Sequence, residues 1–136
     1  MIIFGIGTDI VNIKRLESSI KKYGQTFKKR IFSKREIQYC EKKKNSISFF
    51  AKRFAAKEAF SKALGTGIRK GINFKDIEIY NVPNGKPHIN VKGTVAEYLN
   101  KKIKGKKYYI HLSLSDDKPW AQATVIISHN KWNKKL

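Results

Sequence analysis

The chain has 136 residues, 40% of them hydrophobic and 12% aromatic, which suits one globular domain with its own core and excludes a disordered composition. No apolar run approaches the roughly 20 residues of a membrane helix, and the apolar start MIIFGIGTDI, without a basic leader or small-residue cleavage site, reads as a strand and not as a signal peptide. The lone Cys40 has no partner for an internal disulfide and suits a reducing cytoplasm, while the net charge of +20 points to anionic partners unless an A- and T-rich genome alone explains the lysines.

Residues 2–11 alternate, are rich in Ile and contain Gly5 and Gly7, which predicts a strand. Ile13, Leu16 and Ile20 at helical spacing predict a short helix over 13–22. Ser33 with Glu36 three residues later is a capping box and predicts a helix over 33–44. The strongest helix covers 46–64, with Phe49, Phe50, Phe54, Ala55, Ala59, Phe60, Ala63 and Leu64 as its apolar positions. Ser46 or Ser48 is its expected cap, and Gly65 with Gly67 its stop. Residues 75–82 alternate as a strand, Asn84-Gly85 makes a tight turn, and 86–92 return. Val95, Leu99 and Ile103 mark a helix over 93–104. Residues 108–115 and 120–128 are strands joined by a polar turn over 116–119, and the tail 129–136 is expected to fray. There is neither a repeat nor a linker. One strand, then helices, then mostly antiparallel strands gives a single α+β domain over 1–136, an antiparallel sheet packed with a long central helix.

Three stretches carry chemistry. Asp9 shares a strand face with Gly5 and Gly7, and a carboxylate in an apolar strand needs a metal, a basic side chain or a helix N-terminus to compensate it. The plain alternative is that Asp9 ends its strand and caps the next helix. On the helix over 46–64, Glu58 and Lys62 are four apart on one face, and Arg53 and Lys57 are four apart on an adjacent stripe. Solvated charges explain that pattern equally well, contributing tenths of a kcal/mol. His111, Ser113 and Ser115 alternate with Leu112 and Leu114, giving a polar strand face able to meet phosphate or a nucleobase, or simply water. No Cys/His metal cluster, phosphate-binding glycine loop or nucleophile elbow is present.

Four blocks, in order and spacing, resemble the acyl-carrier-protein synthase branch of the phosphopantetheinyl transferases along nearly the whole chain. They are GIGTDIV at 5–11, FAKRFAAKEAFSKALGTGI at 50–68, NGKP at 84–87, and HLSLSDD followed by WAQATVII. The resemblance implies that Asp9 and Glu58 hold Mg²⁺, whose remaining positions water and substrate phosphate fill. It implies catalytic roles for Asp9, Glu58 and Lys62. Arg53, Lys62, Gly65, Asn84, Gly85, Lys86, Pro87, His111 and Ser113 are then the expected contacts to coenzyme A. The implied reaction moves the phosphopantetheine arm onto a serine of acyl carrier protein for fatty acid synthesis, releasing adenosine 3′,5′-bisphosphate. A metal-bound water, Glu58 and Lys62 all stand as candidates for the base. The resemblance further implies a homotrimer with sites between subunits, and docking of the acidic carrier protein on Lys14, Arg15, Lys21 and Lys22. Two features depart from the pattern: Asp116 stands where many relatives have His, and the stretch 101–107 is unusually basic. The competing readings are a basic nucleic-acid-binding module, for which no surface row of stacking aromatics is evident, and a non-catalytic coenzyme A-binding protein. No membrane partner is expected.

Overall fold

The computed structural model describes residues 1–66 and 72–131. In chain order its elements are β1 (Ile2–Asn12), α1 (Ile13–Ile31), α2 (Lys34–Glu41), α3 (Ser46–Leu64), a 3₁₀ turn (Phe74–Asp76), β2 (Ile77–Asn81), β3 (Pro87–Val91), α4 (Gly93–Ile103), β4 (Tyr108–Asp117) and β5 (Trp120–His129). β1, β5 and β4 form one antiparallel sheet in that order, and β2 pairs with β3 in a separate antiparallel ribbon. The α+β reading holds. No helix among the described residues is long and apolar enough to cross a membrane.

The core lies between α3 and one face of the three-stranded sheet. Alternation along β5 sends Ala121, Ala123, Val125 and Ile127 to that face, all of them completely buried. On β1 the same face carries Gly5 and Gly7, paired with Ile127 and Val125. A Cβ on Gly5 would collide with the carbonyl of Ala63, and one on Gly7 with the carbonyl of Ala59. The helix backbone therefore rests directly on the strand backbone, which the small residues of both make possible. Among the described residues, no helix packs on the opposite sheet face. There Ile6 and Ile10 on β1 are 58% and 61% exposed.

The local signals are mostly honoured, with instructive exceptions. Ser33 and Glu36 make the reciprocal capping box at α2, although that helix stops at Glu41, short of residue 44. α1 runs past residue 22 to Ile31 because Gly24, at φ 59°, turns the chain and a second helical stretch follows. Asn12, not Asp9, caps α1, its side chain accepting from the Arg15 N–H at 3.2 Å. Asn45 precedes α3, so Ser46 and Ser48 lie inside the helix and neither caps it. Residues 75 and 76 belong to the 3₁₀ turn, where the Asn73 side chain accepts from the Lys75 N–H. In the hairpin, Gly85 sits at φ 88° and donates to the Val82 carbonyl, so Pro83 and Asn84 occupy the centre of the turn. β4 continues through Asp116 and Asp117, leaving a tighter turn than expected. β5 continues through a buried His129, one residue into the segment read as a tail. Residues 132–136 and Gly67 lie outside the described residues.

Lys57 is completely buried, against the expectation of a solvated helix face. Its ammonium donates to Glu36 at 2.8 Å and to the carbonyls of Phe74 at 2.8 Å and Ile77 at 2.6 Å. Glu36, itself 1% exposed, also accepts from the backbone N–H groups of Ser33 and Ile79. Burial pulls the Lys57 ammonium below its ordinary value while the Glu36 charge opposes that shift. A pair this fully satisfied ties α2, α3 and β2 together, and removing one partner strands the other.

Gly7→Ala is expected to destabilise the fold by about 3 kcal/mol or more, because the added methyl meets backbone that cannot swing aside. Urea unfolding of the variant and the parent measures this. An unchanged midpoint and slope would mean that α3 does not press on β1 as described.

Candidate active site

Asp9 sits two residues beyond Gly7 on the helix-facing side of β1, paired with Ala123. Its side chain is 17% exposed, and Lys62, from the last turn of α3, places its ammonium 3.1 Å from the carboxylate. The same ammonium donates to the Thr8 carbonyl at 2.9 Å. Lys62 thus reaches across to the strand and holds Asp9. Glu58 lies one turn back along α3, beside both groups. Partial burial lifts its carboxyl above the usual range, the Asp9 charge lifts it further, and Lys62 draws it back. Lys62 pairs with Asp9, and among the described residues Glu58 has no ion pair of its own. The two carboxylates are an arrangement of hard oxygen donors suited to a small divalent cation.

Asp9 and Glu58 open into a groove of about 580 Å³ that Arg15, Arg30, Phe54 and Phe74 also line. Arg15 therefore borders the carboxylates, although sequence distance places it far from α3. Phe54 and Phe74 stack with ring centroids 5.7 Å apart. Arg30 and Phe74 were not anticipated; no spacing rule brings the end of α1 or the 3₁₀ turn to Glu58. The other basic residues of α1 stand apart. Lys14 borders a separate hollow with Ile13, Ile47 and Pro119, Lys21 pairs with Glu17 at 3.6 Å, and Lys22 lies over the Tyr23 ring.

A second cluster forms at the β4 edge. Arg53 is 1% exposed, donates to the Asn81 side chain at 2.5 Å, and lies 4.3 Å from the centre of the Tyr39 ring. Its Nε has no partner, and no carboxylate pairs with it among the described residues. Arg53, Asn81, Gly85, Pro87 and Ser113 line one pocket of about 310 Å³. Lys52, on its rim, pairs with Asp116 at 3.1 Å. Lys86 and His111 line a neighbouring hollow of about 530 Å³ between β3 and β4, where the His111 ring lies 3.1 Å from the Ser128 hydroxyl. Asn84 is taken up in the turn, accepting from the Lys86 N–H. Gly65 closes α3 at φ 88° and is exposed. Tyr39 and Asn81 were missed, because only the packing of α2 and β2 on α3 brings them to Arg53.

The carboxylates and the β4-edge pocket therefore belong to opposite edges of the sheet, with β5 between them. Arg53 and Lys62 are nine residues apart on one helix, about 13 Å along its axis. An extended ligand is needed to touch both ends.

The sequence profile of the 4′-phosphopantetheinyl transferase superfamily matches residues 5–125. The holo-[acyl-carrier-protein] synthase of Dinoroseobacter shibae is 46% identical over 127 residues, covering 93% of this chain and 91% of that protein. The crystal structure of holo-[acyl-carrier-protein] synthase from Neisseria meningitidis superposes with a TM-score of 0.82 at 39% identity, covering 94% of this chain and 99% of that one. The Bacillus anthracis holo-(acyl-carrier-protein) synthase, solved in complex with CoA (3′,5′-ADP), superposes with a TM-score of 0.76 at 35% identity over 96% of this chain and all of that one (100%). With the profile spanning most of its length and relatives this similar, the chain belongs to the 4′-phosphopantetheinyl transferase superfamily.

Proposed function

We propose that this protein transfers the 4′-phosphopantetheine arm of coenzyme A to a serine hydroxyl of apo acyl carrier protein, releasing adenosine 3′,5′-bisphosphate, in support of fatty acid synthesis. The observation that carries the reading is the meeting of Asp9, Glu58 and Lys62 where α3 crosses β1, at the mouth of a groove bordered by arginines. The names of the similar proteins, and the coenzyme A bound in one of them, support the same conclusion. Nucleic acid has less support as a partner: Phe32, Phe50 and Phe60 pack inside, and the exposed Tyr23 and Trp120 lie on separate elements, α1 and β5.

Asp9 and Glu58 are the residues that would hold Mg²⁺, and their adjacent carboxylate oxygens fit that ion. When bound, the ion supplies charge neutralisation at the pyrophosphate of coenzyme A. Lys62, fixed by Asp9 and the Thr8 carbonyl, stands ready to donate to the anionic oxygens of the same pyrophosphate. The serine oxygen of the carrier protein attacks the β-phosphorus, its proton passing to a base at the site such as the Glu58 carboxylate, and the phosphoanhydride bond breaks so that adenosine 3′,5′-bisphosphate leaves with the electron pair. Arg53, with its unpaired Nε, and the Gly85–Pro87 turn suit the nucleotide end, where a phosphate would satisfy a buried guanidinium. Arg15 and Arg30 flank the groove where an acidic carrier protein enters.

The assembly belongs to the same proposal. The helix-free sheet face exposes Ile6 and Ile10 in a row with Thr8, and β5 and β4 continue it through Thr124, Ser113 and His111. Packing of three chains through this face covers the isoleucines and brings a neighbour's His111 and Ser113 towards sites between subunits. The lone Cys40, buried and with its thiol pushed up to about 11 by burial, suits a cytoplasmic protein.

Incubation with coenzyme A, Mg²⁺ and apo carrier protein, followed by mass spectrometry, tests the activity directly. Asp9→Ala and Glu58→Ala are each expected to remove at least ~3 kcal/mol of transition-state stabilisation while leaving the fold intact. A near wild-type rate in either would remove that residue from the metal site. Lys62→Ala should lower kcat more than it raises the KM for coenzyme A, and the reverse pattern would make Lys62 a simple binding residue.

Arg15→Glu is expected to raise the KM for carrier protein, leave that for coenzyme A nearly unchanged, and lose much of its effect at higher salt. Steady-state kinetics at two ionic strengths check this, and an unchanged KM for carrier protein would retire Arg15 as a docking residue.

Ile6→Lys should convert the assembly to monomers by light scattering and abolish transfer, because the charge enters the covered face. A variant that stays a trimer, or a wild type that is monomeric and active, would refute assembly through this face.

A further inference from the structure

Lys57 neighbours Glu58 in sequence but points the other way, into the protein. All three of its ammonium hydrogens are engaged, two of them on backbone carbonyls of the segment that carries Phe74. The Phe74 carbonyl is held at 2.8 Å by Lys57, while the Phe74 ring stacks on Phe54, one turn earlier on the same helix. The segment is thus fastened to α3 at two points, by its backbone at Lys57 and by its ring at Phe54. Both rings line the groove that contains Asp9, Glu58 and Arg15.

A lysine is an expensive fastener. Burying its charge is strongly unfavourable and is offset only because Glu36 and both carbonyls meet it. Glu36 is in turn oriented by the capping box of α2 and by the Ile79 N–H. An apolar residue would fill the same space but would leave the Phe74 and Ile77 carbonyls without this donor, so that only the ring stack on Phe54 ties Phe74 to α3.

We infer that Lys57 is a positioning residue for the carrier protein: through the Phe74 carbonyl it fixes the Phe54–Phe74 aromatic wall beside Asp9 and Glu58, and that wall receives the apolar part of the carrier protein surface. The inference rests on the transferase reading above. It assigns the arginines of the groove to the acidic part of the partner and the two rings to its apolar part, with Lys57 acting only through Phe74.

The test is steady-state transfer with both substrates varied, for Lys57→Met, Phe74→Ala and the double variant, alongside thermal unfolding of each. Lys57→Met and Phe74→Ala are each expected to raise the KM for carrier protein by about tenfold and to leave the KM for coenzyme A within about twofold. The double variant should be no worse than the poorer single one, since both changes act on one wall. Equal losses for the two substrates, a fall in kcat with both KM values unchanged, or effects that multiply in the double variant would each overturn the inference. Should Lys57→Met fail to fold, Phe74→Ala leaves the ion pair in place and decides alone: an unchanged KM for carrier protein refutes the wall. Wild-type protein that transfers nothing would instead refute the transferase reading, and the inference with it.

Discussion

Everything at the candidate site depends on how closely α3 approaches β1. Gly5 and Gly7 put no side chain between the strand and the helix, and the helix answers with Ala59 and Ala63. This close approach brings the last turn of α3 to where the Lys62 ammonium lies 3.1 Å from the Asp9 carboxylate. The contact sets the register as well as the distance. Carbonyls of Ala59 and Ala63, one turn apart, lie over glycines two residues apart on the strand, so the helix cannot slide without collision. Glu58 and Lys62, neighbours in sequence of those alanines, are delivered to Asp9 by the same constraint.

Four charged residues of α3 show how far environment decides role. Lys57 is fully buried and saturated by Glu36 and two carbonyls, so it fastens the fold. Arg53 is as deeply buried but, among the described residues, lacks a carboxylate and meets Asn81 and the Tyr39 ring. Lys62 is half exposed and bridges to Asp9, and Glu58 is left between burial and a like charge. A buried cation with spare donors and a pair of adjacent carboxylates are both expensive in isolation. Arg53 and Glu58 lie five residues apart on α3, and under the proposed function they meet ligands of opposite sign, a phosphate at Arg53 and a divalent cation at Glu58 with Asp9 of β1.

The large positive charge resolves into unequal parts. Most of the lysines are exposed, including the run from 101 to 104, where Lys104 adopts φ 58° at the end of α4. Charges of that kind contribute little individually and suit a compositional origin. Arg15 and Arg30 differ because they border the groove at the carboxylates.

The sequence by itself determined most of the element order, the capping box at Ser33, the hairpin around Gly85, and the candidacy of Asp9, Glu58 and Lys62. Those features are local: they rest on periodicity, on φ requirements and on short spacings that a chain cannot hide. It also held the blocks that resemble the family. Gly5 and Gly7 were visible, but their purpose was not, since a glycine in a strand does not say what backbone approaches it. The fate of each charge was equally out of reach. Lys57 and Lys62 sit on different stripes of α3, either of which could face solvent, and only the packing of α2, β2 and β1 around α3 decided which is buried and which reaches the strand. The same packing brought Arg15, Arg30, Phe54 and Phe74 into one groove from three distant stretches, and set Arg53 against Asn81 at the other sheet edge. Burial and long-range juxtaposition are properties of the assembled core, and no spacing along the chain encodes them.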